Sequence, residues 1–124
     1  MNSFNDRPDT IPVDDFAWAL HLINTEAVVQ IMQYGEIGTP SLRLVCEWDD
    51  DVATFPTIDE MNSAVAKGNW DRARKKRNEL LAATDFYALS DVTMSAEMAT
   101  YRQDLRDLPA STENSEDVVW PTKP

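Results

Sequence analysis

The sequence has few of the residues from which small catalytic and metal sites are usually built. It contains one cysteine, one histidine and three glycines among 124 residues. With Cys46 alone, the chain has no intrachain disulfide and no zinc site made of several cysteines. Three glycines are also too few for a glycine-rich phosphate loop. We interpret Cys46 as a small buried hydrophobic residue rather than a nucleophile, because the only histidine, His21, lies in a different segment.

Long apolar runs and basic residues are scarce as well. No stretch reaches the length of a membrane span, and the N-terminus lacks a basic region followed by an apolar run. The chain has 22 acidic and 11 basic residues, for a net charge of −11. A chain this acidic repels phosphate backbones, which disfavours general nucleic-acid binding. We therefore expect a protein made in a reducing cytoplasm, with neither a membrane nor a nucleic acid as its partner.

The charge is unevenly distributed along the chain. Residues 1–60 hold 12 acidic and 2 basic side chains, whereas residues 61–83 hold 2 acidic and 6 basic ones. The basic run at residues 72–77 contains neither an aromatic residue to stack on a base nor a glycine to cradle a phosphate. We interpret it as a solvated helix face that pairs with acids of the same chain. Contact with an acidic partner surface is the alternative.

The first half of the chain changes from a helical to a strand pattern. Apolar residues recur at helical spacing from Val13, with two carboxylates in the first turn, which predicts a helix over about residues 13–24. Residues 26–34 are rich in β-branched side chains, and residues 41–48 alternate between apolar and polar ones. A turn at residues 35–40 would join them, so we expect a two-stranded antiparallel hairpin.

Two capping signals predict the helices of the second half. Thr57 starts a capping box before an apolar stripe, and Ser95 precedes a helix over about residues 96–107 that Pro109 is expected to stop. Gly68-Asn69 leaves open whether residues 58–83 form one helix or two.

These elements predict an α+β fold in which helices cover one face of the hairpin. The expected organisation is an extended arm over residues 1–12, an α-β-β-α domain over 13–84, a linker and C-terminal helix over 85–109, and a C-terminal arm over 110–124. The predicted core combines alternate residues of the second strand with residues of the flanking helices: Leu42, Leu44, Cys46, Trp48, Phe16, Leu20, Met61 and Val65.

An ordered series of short motifs lies in the C-terminal part. It comprises residues 77–86, Leu89-Ser90-Asp91, residues 94–97, residues 101–109 and the closing residues 120–124. This series resembles the C-terminal segment of the phage tail assembly chaperone-like proteins, which are found with tail-fibre and baseplate genes of tailed phages. The resemblance is strongest over residues 77–109 and implies a protein partner rather than a substrate.

The resemblance implies a tail-fibre or baseplate accessory protein that works by protein contacts within a multi-chain assembly. Such a protein either assists folding fibre chains and leaves, or stays in the virion tail after it is made in the host cytoplasm. The family supplies no catalytic residue and no cofactor, so we expect no enzyme activity. The residues that we expect to contact a partner are Phe86, Tyr101, Arg102 and Trp120.

The C-terminal arm admits two interpretations. Residues 110–117 are polar and cannot drive their own ordering, whereas Val118, Val119 and Trp120 favour burial. Our hypothesis is that this segment docks on a neighbouring chain with Trp120 as its anchor. The alternative is that Trp120 packs back on its own domain.

Two other function classes are weaker. An acidic DNA mimic that inhibits a host nuclease or restriction enzyme fits the size and net charge, but the basic run interrupts the carboxylates and four tryptophans call for a core or an interface. A small enzyme has no identifiable site. Asp49-Asp50-Asp51 lacks the alternating ligands and glycine of a calcium loop, so we interpret it as a solvated acidic turn.

Overall fold

The computed structural model describes residues 1–124 as an α+β protein. Its strands are β1 (Asn2–Asp6), β2 (Val28–Tyr34) and β3 (Arg43–Asp49), its helices are α1 (Val13–Asn24), α2 (Ile58–Ala82) and α3 (Ala96–Ser111), and short 3₁₀ turns cover Thr25–Ala27, Asp85–Ala88 and Ser115–Asp117. The chain divides into two compact units, a first unit of Met1–Lys67 and a second unit of Gly68–Pro124. None of the helices combines the length and the apolar character that a membrane span requires.

The sheet of the first unit has three strands rather than the predicted two. Its order is β1-β3-β2, and both pairings are antiparallel. β1 lies in the segment that was predicted as an extended arm, so that part of the prediction was wrong. Its sequence of Asn, Ser and Asp around Phe4 has little strand propensity. Backbone pairing with β3 stabilises the strand instead, and the Arg43 guanidinium binds the Asp6 carboxylate across the two strands.

Helix α1 is confirmed at the predicted residues. It buries Phe16, Ala19 and Leu20 and carries two carboxylates in its first turn, where the helix dipole favours negative charge. The Asn24 side chain accepts hydrogen bonds from two backbone N–H groups in the turn that follows, at 3.1 and 3.3 Å. This turn leads directly from the helix into β2.

The predicted core of the first unit is confirmed. Leu44, Cys46 and Trp48 of β3 are buried together with residues of α1 and the first turns of α2, and Leu42 and Val65 pack at the periphery. The Trp48 indole N–H donates to the carbonyl of Ala53 at 2.7 Å, which satisfies the polar atom of an otherwise apolar side chain. Burial raises the pKa of the Cys46 thiol to about 11.

Helix α2 is continuous, which answers the question that the sequence left open. The Glu60 N–H donates to the Thr57 hydroxyl oxygen at 3.2 Å, as expected of a capping box, and the helix runs through Gly68 without a break. Residues up to Lys67 belong to the first unit and those from Gly68 to the second. The division therefore falls inside the segment predicted as one domain, residues 13–84.

Helix α3 begins as predicted but extends further. The Ser95 hydroxyl oxygen accepts from the Met98 N–H at 3.1 Å. The helix continues to Ser111 with Pro109 inside it, so the predicted stop before Pro109 was wrong. A proline this close to the end of a helix removes one donor from the final turn, and only two more residues need to remain helical after it.

Candidate partner-binding surface

The second unit is built around the buried stripe of α3. Met98, Tyr101, Leu105 and Leu108 recur at helical spacing and face a ring of partly buried side chains. That ring consists of Leu80, Leu81, Tyr87, Met94, Val118 and Trp120. The C-terminal arm thus contributes to the same apolar cluster as the end of α2.

Arg102 is the one charged residue on this stripe and is only 5% exposed. One terminal nitrogen of its guanidinium, Nη1, donates to the Thr84 hydroxyl at 2.6 Å and to the Leu81 carbonyl at 2.9 Å. The other, Nη2, donates to the Asp85 carboxylate at 2.8 Å. A buried guanidinium is stable when such acceptors replace its water, so Arg102 fixes the chain where α2 ends.

Thr84 completes this junction. It is buried, and its hydroxyl donates to the carbonyls of Leu80 and Leu81 at 3.3 and 3.2 Å while it accepts from Arg102. The Thr84 carbonyl then accepts from the Tyr87 N–H at 3.1 Å and so begins the 3₁₀ turn of Asp85–Ala88. The start of the turn is therefore held by hydrogen bonds to the last residues of α2 and to Arg102 of α3.

This turn presents two apolar side chains to solvent. Phe86 is 51% exposed and Leu89 is 57% exposed. Leu89 directly follows the turn, and its N–H donates to the Phe86 carbonyl at 3.3 Å. The Phe86 ring also lies against the Tyr87 ring, with centroids 4.1 Å apart. We call Phe86 and Leu89 the 86–89 surface.

Trp120 packs within its own unit. It is half-buried beside Leu108 and the other residues of the α3 cluster, and the Lys76 ammonium lies 4.3 Å from its ring centroid. Its neighbour Val119 points away and is 80% exposed. These contacts match the alternative interpretation, in which the arm folds back, and they account for Val118 and Trp120, but not for Val119, without a second chain. Docking of the arm on a neighbour stays a prediction.

The four residues expected to contact a partner therefore have different positions. Phe86 is exposed, Trp120 is half-buried, and Tyr101 and Arg102 are buried among residues of the same unit. Tyr101 and Arg102 have almost no surface left for a partner in this structure. Whether any of the four contacts another chain stays a prediction.

The exposed position of Leu89 and the roles of Thr84 and Asp85 were not predicted from the sequence. A usable signal was present, because Arg102 occupies a position on the apolar stripe of an amphipathic helix. An arginine at such a position requires buried acceptors, and the Thr84-Asp85 pair just after α2 offers a hydroxyl and a carboxylate.

The basic run on α2 makes contacts within the chain, as predicted. Arg74 lies 3.7 Å from the Asp71 carboxylate and stacks over the Trp70 ring at 5.5 Å. Arg77 donates to the Asn78 side-chain oxygen at 3.0 and 3.2 Å. The pairing of Arg74 with an acid of its own chain is confirmed.

Elsewhere, no three side chains of the types that bind metals converge in an arrangement that could hold an ion. His21 is exposed on α1, and in the acidic turn the Asp49 carboxylate accepts from the Asp51 N–H at 3.0 Å. The acidic turn is thus closed by a hydrogen bond between its own residues.

Comparison with protein families finds a match for the C-terminal part of the chain. Residues 70–124 match the model of the family described as phage tail assembly chaperone protein. The match confirms the resemblance drawn from the sequence and covers nearly all of the second unit. It supports a role in phage tail assembly. No curated protein and no solved structure matches the chain.

Proposed function

We propose, from the family match of residues 70–124, that this chain binds a tail-fibre or baseplate protein during phage tail assembly. The observation that carries the proposal is the 86–89 surface, in which Phe86 and Leu89 are joined by a backbone hydrogen bond and each is more than half exposed. Large apolar side chains in water favour contact with another protein, since burial removes their apolar area from solvent.

The turn that carries this surface supports the proposal. Arg102 and Thr84 hold it by five side-chain hydrogen bonds to Leu80, Leu81, Asp85 and each other. A surface that is ordered before binding loses less conformational entropy on contact, so more of the burial energy contributes to affinity. In this proposal Phe86 contacts the partner, whereas Arg102 acts by positioning the turn.

The test is a binding assay between the purified full-length chain and the tail-fibre and baseplate proteins of the same phage. The double variant Phe86→Ala, Leu89→Ala should weaken binding by about tenfold or more, the loss expected when a central apolar anchor is removed. Its melting temperature should stay close to that of the wild type, because both side chains are exposed. The matched control is Leu22→Ala, which truncates a similarly exposed leucine in the first unit.

Equal loss of binding in the Leu22→Ala control, or full binding by the double variant, would contradict the proposal. The proposed activity is protein binding and includes no catalytic step, cofactor or metal.

Two mechanisms are compatible with this binding. In one, the chain remains in the virion tail beside the fibre or baseplate. In the other, it assists assembly in the host cytoplasm and then leaves. A mass-spectrometric inventory of purified virions separates them, because only a virion component is recovered in stoichiometric amount with the tail proteins.

A further inference from the structure

The first unit carries an open sheet edge. In the order β1-β3-β2, strand β2 has a neighbour on one side only. Its backbone bonds go to β3, and no backbone hydrogen bond joins it to another element. An edge strand of this kind presents unpaired N–H and C=O groups that a further strand can bind.

One hydrogen bond shows which way the groups of the central strand point. The Arg7 N–H donates to the Leu44 carbonyl at 2.8 Å, so the backbone N–H and C=O groups of Leu44 point towards β1. Backbone groups of successive residues alternate in direction along a strand, and those of Val45 therefore point towards β2. Its partner in the register is Met32. Met32 thus directs its backbone groups inward, to β3.

By the same alternation, Ile31 and Gln33 direct their backbone N–H and C=O groups to the open edge. Ile31 is half-buried against the core, whereas the Gln33 side chain is exposed. Gln33 is therefore the residue at which the edge can be altered without touching either the core or the bonds to β3.

Most of the edge lacks the usual protection against pairing. Edge strands are commonly protected by charges, prolines or bulges. β2 contains no charged residue and no proline over its seven residues, and its one register shift lies near Val29, before Ile31 and Gln33. Exposed carboxylates lie just beyond both ends instead, Glu26 before the strand and Glu36 after it.

These charges decide between two kinds of occupant. If a second copy paired its β2 antiparallel about Ile31, Glu26 of each copy would lie near Glu36 of the other, which is repulsive at both ends. The first unit as a whole has 12 acidic and 3 basic residues, a net charge of −9. A segment with an uncharged middle and lysine or arginine at both ends is complementary in charge.

We infer that β2 binds an extended segment of another protein, uncharged in its middle and basic at both ends, as a fourth strand of the sheet. Main-chain hydrogen bonds to Ile31 and Gln33 hold the segment, and Glu26 and Glu36 select its charges. This site lies in the first unit and does not depend on the 86–89 surface of the second.

The probe is a short synthetic peptide of alternating threonine and valine with two lysines at each end, titrated into the full-length protein and followed by NMR. The amide signals of Ile31 and Gln33 should shift and gain protection from solvent exchange. Gln33→Pro, which removes one outward N–H, should weaken binding by about tenfold. Gln33→Ala is the matched control, because it loses the same side chain but keeps the N–H, and it should bind within about threefold of the wild type.

A second arm tests the charges. The same peptide with glutamates at its ends should bind at least about tenfold more weakly to the wild type. The double variant Glu26→Gln, Glu36→Gln should reduce this difference between the two peptides. Circular dichroism confirms that each variant is folded, and the Phe86→Ala, Leu89→Ala variant should bind the peptide as the wild type does. That last result separates this site from the proposed function.

Several outcomes would overturn the inference. They are no shift at β2, equal binding by Gln33→Pro and Gln33→Ala, or equal affinity for the two peptides. Self-association of the wild type through β2, seen by analytical ultracentrifugation and lost in Gln33→Pro, would instead identify a second copy as the occupant.

Discussion

Arg102 lies on a stripe of α3 where the neighbouring positions are apolar, and three hydrogen bonds compensate its burial. Arg102→Met keeps much of the side-chain volume but leaves Thr84 and the Leu81 carbonyl without this donor. We expect the free energy of unfolding to fall by about 1.5 to 3 kcal/mol, measured by urea denaturation. Arg106→Met, on the exposed face of the same helix, should change it by less than about 0.5 kcal/mol. Similar losses in both variants would contradict the role given to Arg102.

Cys46 gives the first unit a dependence on alkaline pH. Its pKa is raised to about 11 by burial, so above the ordinary thiol pKa the unfolded chain loses the proton while the folded chain keeps it. The protonated Cys46 thiol makes its full contribution to the free energy of unfolding below the ordinary thiol pKa. This contribution falls as the pH rises and is lost once the pH passes the pKa of the folded state. From pH 8 to pH 10 the stability should fall by on the order of 1 kcal/mol more in the wild type than in Cys46→Ala. Parallel pH profiles would show that Cys46 does not titrate this way.

At the scale of elements, helices and strands with strong hydrophobic periodicity could be predicted from the sequence. Alternation in β3 and helical spacing in α1 correctly indicated which residues meet in the first core, because each pattern places these residues on one face of its element. β1 escaped prediction since its stability comes from pairing with β3, which no local pattern records. Pro109 marked the last turn rather than the end of α3.

The candidate site was less predictable than the fold. Phe86 was identified through its motif, but exposure depends on how the turn is held, and this depends on contacts between Arg102 and residues 17 to 21 positions earlier. The exposure of Leu89 became recognisable only once those contacts were known, whereas the position of Arg102 on an apolar stripe was a sequence signal for the Thr84-Asp85 pair. Sequence patterns report faces of elements, whereas this site is made by a junction between two helices.

The hairpin between β2 and β3 contains a matched pair of glycines. Gly35 and Gly38 both have positive φ, +78° and +85°. A Cβ on Gly35 would lie 2.4 Å from the Ser41 carbonyl oxygen, whereas one on Gly38 would meet nothing within 4 Å. Both alanine variants carry about 1 to 2 kcal/mol of left-handed strain, and Gly35→Ala adds a backbone clash. Its melting temperature should therefore be clearly the lower of the two, and equal values would contradict this geometry.

The C-terminal arm should contribute to the stability of the second unit. Trp120→Ala removes the half-buried ring that Lys76 covers, and we expect a loss of about 1 to 3 kcal/mol in the free energy of unfolding. The neighbouring change Val119→Ala truncates an exposed side chain and should be nearly neutral. If Trp120→Ala leaves stability unchanged but abolishes binding to tail proteins, the ring acts as an intermolecular anchor instead.

At the scale of the whole molecule, charge differs between the two units. Residues 1–67 have a net charge of −9, whereas residues 68–124 hold 10 acidic and 8 basic side chains. We expect the full chain to bind duplex DNA no better than an acidic control protein of equal size at physiological salt, measured by fluorescence anisotropy. Tight, salt-sensitive binding would revise the view that the basic run serves contacts within the chain.

The four tryptophans are shared equally, with Trp18 and Trp48 in the first unit and Trp70 and Trp120 in the second. Trp48 is fully buried, whereas Trp120 is half-buried under a lysine. Their fluorescence should differ in wavelength and in quenching by iodide, since the two rings differ in access to solvent. A variant that keeps only Trp48 would report on the first unit by its fluorescence, and a variant that keeps only Trp120 would report on the second. Unfolding of each unit could then be followed separately.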